Sequence, residues 1–116
     1  MKYGSWVSKL KYKIRAGWEY RYIYRNGRRK ANRYFVLYYL KTNLGYSRFG
    51  ISVNRKLGGA VKRNRIKRLI REIIRLRDDA KQMGLDMVII AREGMIGVNY
   101  KEANDAFGNL IAHLEA

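Results

Sequence analysis

The sequence predicts a single α+β domain in which a helix, two strands, a long helix, a third strand and a last helix follow one another. Three observations lead to this prediction. The 116 residues suffice for one modest hydrophobic core. Apolar residues recur at helical spacing through residues 58–82. Two short segments, 34–40 and 48–55, contain the aromatic and β-branched residues that are typical of strands.

The first helix is predicted over residues 17–26. Tyr20, Ile23 and Tyr24 share one helical face because they are spaced at i, i+3 and i+4. Gly27 suits a helix C-cap. Strict alternation of the three tyrosines in this segment leaves a strand open as an alternative.

The two strands follow a basic loop at 27–33. Residues 34–40, YFVLYYL, have the composition of a strand that is covered on both faces. Phe35, Leu37 and Tyr39 would point to one face, and Tyr34, Val36, Tyr38 and Leu40 to the other. Asn and Gly in 41–47 predict a turn, so we expect 34–40 and 48–55 to form an antiparallel hairpin.

The long helix is predicted over 58–82 and ends at Gly84. Its core stripe consists of Ile66, Leu69, Ile70, Ile73, Leu76 and Ala80. A short apolar strand at 86–91 and a loop at 92–98 come next. Asn99 followed by Glu102 resembles a capping pair for a last helix, whose apolar face consists of Phe107, Leu110, Ile111 and Leu114.

Charge is distributed unevenly along the chain. Residues 1–77 hold 23 basic and 2 acidic side chains, a net charge of +21, whereas 78–116 have a net charge of −4. Residues 1–16 are rich in basic residues and show no clear helical or strand periodicity. We predict that they form a partly extended N-terminal arm of the single domain, 1–116. Such a charge indicates a polyanionic partner, and nucleic acid is the first candidate.

Several other classes of protein are excluded or disfavoured. The chain has no Cys, so it forms neither disulfides nor thiolate metal sites. No apolar run approaches the roughly 20 residues that span a bilayer, and the N-terminus lacks the apolar stretch of a signal peptide. We therefore expect a cytoplasmic protein with no membrane partner. Helix 58–82 is too long for a helix-turn-helix motif and follows a hairpin, which disfavours DNA as the partner.

One side of the long helix is core and the other is basic. Residues 55–77 contain ten basic residues and only one carboxylate, Glu72. At 100° per residue, the face opposite Ile66 carries Asn64, Lys67, Arg68, Arg71 and Arg75. Like charges at this spacing repel one another, and phosphates would offset the repulsion. Arginine suits this role because its planar fork binds phosphate oxygens bidentately.

Aromatic residues predict a second nucleic-acid surface. Tyr20, Tyr24, Val36 and Tyr38 are positioned to line a shallow cleft between the first helix and a strand, bordered by Lys13, Arg15 and Arg21. Bases of a single strand stack on such rings with little sequence preference. For any one tyrosine, ordinary packing on a strand remains an open alternative.

The sequence shows no catalytic constellation and no metal-ligand motif. His113 is the only histidine and is expected to be structural. The carboxylates lie mostly in the last third of the chain without acid–base or metal-ligand spacing. Asp78 and Asp79 are expected to temper the charge at the end of the basic helix. We expect any chemistry to be carried out by the partner.

Residues 58–72, GGAVKRNRIKRLIRE, resemble the signature of bacterial ribonuclease P protein subunits. That signature reads Gly, any residue, Ala-Val, any residue, Arg-Asn-Arg, any residue, Lys-Arg, two residues, Arg. Its polar positions correspond to Arg63, Asn64, Arg65, Lys67, Arg68 and Arg71. The segments YFVLYYL, RFGISVNRK and DMVIIAR agree as well, so the resemblance extends from about residue 11 to residue 114.

The resemblance implies an α/β sandwich in the order α-β-β-β-α-β-α, as in some ribosomal proteins. Its four-stranded sheet would include an extra strand near 28–33 and a left-handed βαβ crossover. It further implies that a catalytic RNA subunit, which binds most of the Mg²⁺, hydrolyses precursor tRNA. The arginine-rich helix would then bind that RNA, through a set that includes Arg75.

The resemblance also implies that the 5′ leader of the precursor occupies the cleft. Its residues would be Lys13, Tyr20, Tyr24, Val36 and Tyr38. Tyr20 and Tyr24 stand where Phe is common, and Ala16 and Trp18 stand where polar or basic residues are common. The alternative function is a ribosomal-type RNA-binding protein or RNA chaperone, which would not distinguish precursor from mature tRNA.

Overall fold

The computed structural model describes residues 12–112 and residue 114. The helices are α1 (Gly17–Asn26), α2 (Ala60–Arg75), α3 (Asp78–Gln82) and α4 (Tyr100–Ile111). The strands are β1 (Arg28–Ala31), β2 (Phe35–Lys41), β3 (Arg48–Ser52) and β4 (Leu85–Ala91). Short 3₁₀ turns lie at Arg55–Leu57 and Glu93–Met95. The order and the four strands confirm the α+β prediction, including the extra strand near 28–33. His113 and most of the N-terminal arm lie outside the described residues.

The four strands form one sheet in the order β1-β2-β4-β3. β2 pairs antiparallel with β1 and with β4, whereas β3 pairs parallel with β4. The predicted antiparallel hairpin of β2 and β3 is therefore wrong, because β4 lies between the two strands. The β3–β4 pair, with α2 and α3 between them in sequence, is the βαβ unit that the resemblance implied, and its left-handedness stays a prediction.

Burial explains why β4 is central. Six of its seven residues are buried, and a strand that is apolar on both faces is best covered inside a sheet. The connection after β2 is fixed by Ser47, a buried side chain whose Oγ donates to the Ala80 carbonyl oxygen at 2.7 Å. That Oγ also accepts from the Leu85 amide at 3.1 Å. Ser47 thus ties the connection to α3 and β4, which keeps it from forming a tight hairpin turn.

The sheet lies between two helical layers of unequal size. The main core fills the side that is covered by α2, α3 and α4, and it includes Phe35, Leu37, Ile70, Ile73 and Phe107. A smaller cluster of Ile14, Ile23 and Val88 lies under α1 on the other side, with Tyr20, Tyr38 and Ile90 packed against it. The predicted alternation is confirmed from Phe35 to Leu40, but the second face is only half-covered, because α1 is short.

The long helix is shorter than predicted. α2 ends at Arg75, and Arg77 (φ −112°, ψ 85°) separates it from α3. Leu76, which was predicted in the core stripe, is 56% exposed because the chain turns at this point. Arg77 instead turns towards α4, where its guanidinium lies 6.0 Å from the Phe107 ring centroid and donates to the Asn104 side chain. Ala80 is buried, but it belongs to α3.

The structure confirms one predicted helix end and corrects part of another. Gly27 is the C-cap of α1, and its amide donates to the Ile23 carbonyl oxygen at 2.8 Å. It is extended (φ −84°), and glycine suits this position because a Cβ would lie 2.7 Å from the Tyr39 carbonyl oxygen. Asn99 caps α4, since its side chain accepts from the Glu102 amide at 2.8 Å. The Glu102 carboxylate, however, accepts a hydrogen bond from the Tyr34 hydroxyl. Tyr34 therefore packs towards the main core rather than sharing the face of Val36.

Candidate nucleic-acid interface

The predicted polar residues of α2, which we call the basic face, are Arg63, Asn64, Arg65, Lys67, Arg68, Arg71 and Arg75. All lie on the solvent side except Arg63, which is half-buried at the amino end of the helix, about 60° from Ile66. The exposed members are Asn64, Arg65, Arg68 and Arg71. The opposite side of α2 buries Ile66, Ile70, Ile73 and Ile74. Because that apolar side is held against the sheet, the cations project from a rigid support.

Most of the basic face is free of counter-charges within the protein. In the part of the chain that the structure describes, no carboxylate forms an ion pair with Arg65, Arg68 or Arg71. Arg75 is the exception, since it donates from Nε to Glu72 Oε1 at 3.1 Å and pairs with Oε2 as well. The hydrogen bond from Arg75 lowers the pKa of the Glu72 carboxyl. Glu72 thus balances one cation and leaves the rest of the strip positive.

The two glycines before α2 differ in their roles. Gly58 has φ +136°, a conformation that favours glycine, and its carbonyl oxygen accepts from Arg63 Nε at 3.1 Å. Gly59 is extended, and a Cβ there would meet nothing within 4 Å. The tight connection therefore requires glycine at 58. Gly59 leaves the amino end of α2 open to solvent.

The predicted cleft lies on the other face of the sheet, beside α1, and we call its rings and apolar floor the aromatic cleft: Tyr20, Tyr24, Val36 and Tyr38, with Ile90. The Tyr24 and Tyr38 rings meet edge to face, with their centroids 5.0 Å apart. The Tyr20 ring lies over Gly50, where an added Cβ would overlap it. Burial raises the pKa of both Tyr20 and Tyr24, so these phenols remain protonated donors at neutral pH.

Strand register brings further residues to this face. In adjacent strands, directly opposite side chains share a face. Val36 pairs with Ile90, and Tyr38 pairs with Arg29 on β1. The sequence did not indicate that either residue belongs to the cleft. Arg29 lay in the predicted basic loop 27–33, and Ile90 lay in a predicted strand that is almost entirely apolar. Only the register of long-range pairs places them beside the tyrosines.

Lys13 lies at the opposite border of the cleft. Its backbone forms a parallel bridge with Phe49 of β3, and its side chain is exposed. The neighbouring Ile14 is buried, and its carbonyl oxygen lies 3.5 Å from the Tyr20 hydroxyl. The end of the arm therefore runs along the edge of the sheet next to Tyr20.

A partly buried ionic group holds α1 in place. Arg48 on β3 donates to both oxygens of Asp86 at 2.9 and 2.8 Å, and from Nη1 to Glu19 Oε2 at 2.8 Å. Glu19 Oε1 accepts from the Ala16 amide at 3.1 Å and so caps the start of α1. Burial raises the pKa of Glu19, but the hydrogen bonds from Ala16 and Arg48 outweigh it, so the net pKa lies below its ordinary value.

An open pocket of about 600 Å³ connects the two surfaces at the end of the sheet. Ile90 lines it on the cleft side, and Asn54 and Lys56 line it on the side that leads into α2. Arg33 and Arg92 add two guanidinium groups to its wall. The exposed Glu93 carboxylate also lines the pocket. Cations therefore extend from the aromatic cleft towards the amino end of the basic face, with one carboxylate among them.

The arrangement is suited to binding a polyanion with some unpaired bases. Guanidinium groups bind phosphates, and exposed phenol rings stack on bases. Within residues 12–112 and 114, no three potential metal-ligating side chains cluster together. None of the described helices has the length and apolar character required to cross a bilayer.

Known proteins are similar to this chain in both sequence and fold. A family model described as Ribonuclease P matches residues 9–115. The chain is 49% identical over 88 residues to the ribonuclease P protein component of Lachnoclostridium phytofermentans, covering 76% of each chain. Its fold is similar to that of the RNase P protein from Thermotoga maritima, with TM-score 0.82, 32% identity, and 90% and 98% of the two chains covered.

The Staphylococcus aureus RNase P protein is similar as well. Its TM-score is 0.79 at 32% identity, with 87% of this chain and 93% of that chain covered. The family model spans most of the chain, and the signature that the sequence presents at 58–72 forms the first part of the basic helix. By sequence and by fold, this chain belongs to the ribonuclease P protein family.

Proposed function

We propose that this chain is the protein subunit of a bacterial ribonuclease P, which removes the 5′ leader from precursor tRNA in the cytoplasm. The basic face of α2 binds the catalytic RNA subunit, and the aromatic cleft binds the leader. Membership of the family, whose members are components of a tRNA-processing endoribonuclease, supports this proposal.

One observation supports the proposal most directly. Arg65, Arg68 and Arg71 are exposed on one face of a rigid helix without a carboxylate partner among the described residues. Ordinary solvated faces mix charges of both signs. A strip of one sign is stabilised when phosphates neutralise it, and an extensive RNA surface offers phosphates at matching spacing.

The residues of the interface do not suit Mg²⁺, since Mg²⁺ prefers oxygen ligands such as carboxylates. The basic face and the aromatic cleft present cations, phenols and apolar groups. We therefore assign the Mg²⁺ ions, and the hydrolysis that they support, to the RNA subunit. The role of the protein is to bind and orient: it neutralises phosphates of the RNA subunit and holds the leader next to them.

The decisive experiment is reconstituted cleavage of precursor tRNA at low Mg²⁺ with a bacterial RNA subunit, with and without this chain. We expect cleavage to be strongly stimulated and the affinity of the complex for precursor tRNA to exceed that for mature tRNA. A folded protein that gives no stimulation with a functional RNA subunit would refute the proposal. Stimulation without any preference for precursor would favour the alternative, a ribosomal-type RNA-binding protein or RNA chaperone.

A further inference from the structure

α1 has a second aromatic face that the proposed function does not use. Trp18 and Tyr22 are spaced at i and i+4, so they are neighbours on one side of the helix. Trp18 is 63% exposed and Tyr22 is 54% exposed. Within the described part of the chain, neither ring packs against another ring. We call this pair the outer rings.

The position of the outer rings separates them from the aromatic cleft. At 100° per residue, Tyr20 and Tyr24 lie about 140–180° around α1 from the midpoint of the outer rings. Ile23 anchors the helix on the sheet side and is 1% exposed. Folding therefore has no need of the outer rings, and a tryptophan with most of its surface in water contributes little to the core.

The charges around the outer rings suit a polyanion. Arg21 and Arg25 are exposed on the same helix, and Lys41 is exposed at the end of β2. The nearby carboxylates, Glu19 and Asp86, are both paired with Arg48. Among the described residues, Arg21, Arg25 and Lys41 have no ion-pair partner. Phosphates that approach this face therefore meet cations, and both nearby carboxylates are already paired.

A small pocket beside the rings adds polar groups. It measures about 270 Å³ and lies between α1 and the end of β2. Trp18 and Tyr22 line one side, and Thr42 and Asn43 line the other. The Asn43 amide and the Thr42 hydroxyl are groups that can hydrogen-bond the edge of a base. Exposed rings, arginines and such groups together are the chemistry of a single-strand binding surface.

We propose that the outer rings form a second stacking site for single-stranded RNA, which holds the part of the leader that lies 5′ to the nucleotides in the aromatic cleft. This inference rests on the proposed function. Continuity favours the leader as the occupant: on the helical wheel, Arg21 and Arg25 lie on the arc between Tyr24 and Trp18. A strand leaving the cleft past Tyr24 thus passes two guanidinium groups before it reaches the outer rings.

The test uses the reconstituted complex and three RNAs: mature tRNA, a precursor with a leader of about 5 nucleotides, and one with about 15, which together span common single-strand site sizes. Trp18→Leu combined with Tyr22→Leu should weaken binding of the long-leader precursor about 10-fold. Binding of the other two RNAs should be nearly unchanged. Trp18→Phe with Tyr22→Phe, which keeps both rings, should retain most of the affinity.

A fluorescence readout reports on the site itself. Trp6 is the only other tryptophan, so Trp6→Phe leaves Trp18 as the single reporter in the complex. The long leader should quench Trp18 emission, and the short leader should not. Quenching by the short leader, or equal affinities for the long leader in the Leu and Phe pairs, would overturn the inference.

Two further outcomes are distinct. If the Leu pair changes the sedimentation coefficient of the free protein and leaves RNA affinities intact, the outer rings join two copies of the chain and the inference is wrong. If the unaltered complex binds the short-leader precursor no better than mature tRNA, the proposed function fails instead.

Discussion

At the scale of single residues, Gly50 decides where the Tyr20 ring lies. The ring occupies the space that a side chain on β3 would need, because a Cβ on Gly50 would overlap it. A small change on the strand is therefore transmitted to a ring of the aromatic cleft, although Gly50 itself is buried. Contacts of this kind cannot be found from the composition of either element.

We predict that Gly50→Ala lowers leader binding by displacing Tyr20. The ratio of precursor to mature tRNA affinity, measured in the reconstituted complex, should fall several-fold. Gly59→Ala is a matched control, since a Cβ at that position meets nothing within 4 Å. An unchanged ratio for Gly50→Ala would show that the position of Tyr20 does not matter for the leader.

Tyr38 tests the cleft directly. Tyr38→Ala removes the ring that meets Tyr24 edge to face and should weaken precursor binding about 10-fold, as expected for one lost stacked base. Tyr38→Phe should bind nearly as well as the unaltered protein, because the ring is kept. If Tyr38→Ala lowered the affinities for precursor and mature tRNA equally, the leader would not bind in the cleft.

At the scale of elements, the way in which α2 and α1 are held against the sheet determines the orientation of the two proposed surfaces. α2 is held by its apolar stripe, so its cations cannot turn away from solvent. α1 is held by Ile23, by its packing on β2 and β4, and by the link from Glu19 to Arg48. The orientation of the outer rings and of the aromatic cleft depends on that link as well.

For α2, we predict that Arg68→Ala weakens assembly with the RNA subunit and reduces the dependence of log K on log salt by about one ion. The measurement is a titration of RNA subunit with protein at several salt concentrations. Lys101→Ala on α4 removes the same charge from a lysine that is paired with Asp105 and should leave the slope unchanged. Equal slopes for Arg68→Ala and the unaltered chain would show that this side chain releases no counterion.

For α1, we predict that Glu19→Gln destabilises the fold at neutral pH by about 1 kcal/mol. The pKa of Glu19 is lowered in the folded state from an ordinary value of 4.5. Its contribution is therefore fully present above pH 4.5 and is lost as the pH falls through the lower folded-state pKa. Urea unfolding between pH 7 and pH 3 should show a shallower acid decline for the variant.

Glu93→Gln is the control for this pH series. The Glu93 carboxylate is exposed and makes no side-chain hydrogen bond among the described residues. Its substitution should leave the free energy of unfolding at neutral pH nearly unchanged. If Glu19→Gln and Glu93→Gln behave alike at every pH, Arg48 does not anchor α1 through Glu19.

At the scale of the whole molecule, the formal net charge of +17 works against the compact state, because like charges repel. We predict that inorganic phosphate raises the Tm more than chloride does at equal ionic strength, since it binds the folded basic face as well as screening it. Thermal melts followed by circular dichroism measure this. Arg68→Ala with Arg71→Ala should reduce the difference between the two salts, and an unaltered difference would place the bound anion elsewhere.

The sequence predicted the elements well where the signal is local. Residues 17–26 form a helix with the predicted bounds, and the two-faced pattern around Ile66 and Arg68 appears in α2 as predicted. Helical and strand periods, caps and turn residues depend on neighbours in the chain, so they can be read from one sequence. The extra strand β1 was expected from the resemblance alone, because RRKA carries no strand pattern.

The sequence by itself determined the two sets of side chains that we propose bind a polyanion: the cations on the solvent side of the long helix, and the rings of the first helix and second strand. The tertiary structure alone decided that β4 separates β2 from β3 and that Arg77 turns towards Phe107. It also decided that Arg29 lies beside Tyr38 and Ile90 beside Val36. The physical reason is the same in each case. Strand partners and buried contacts are chosen by the free energy of covering the whole core, which depends on residues far apart in the chain.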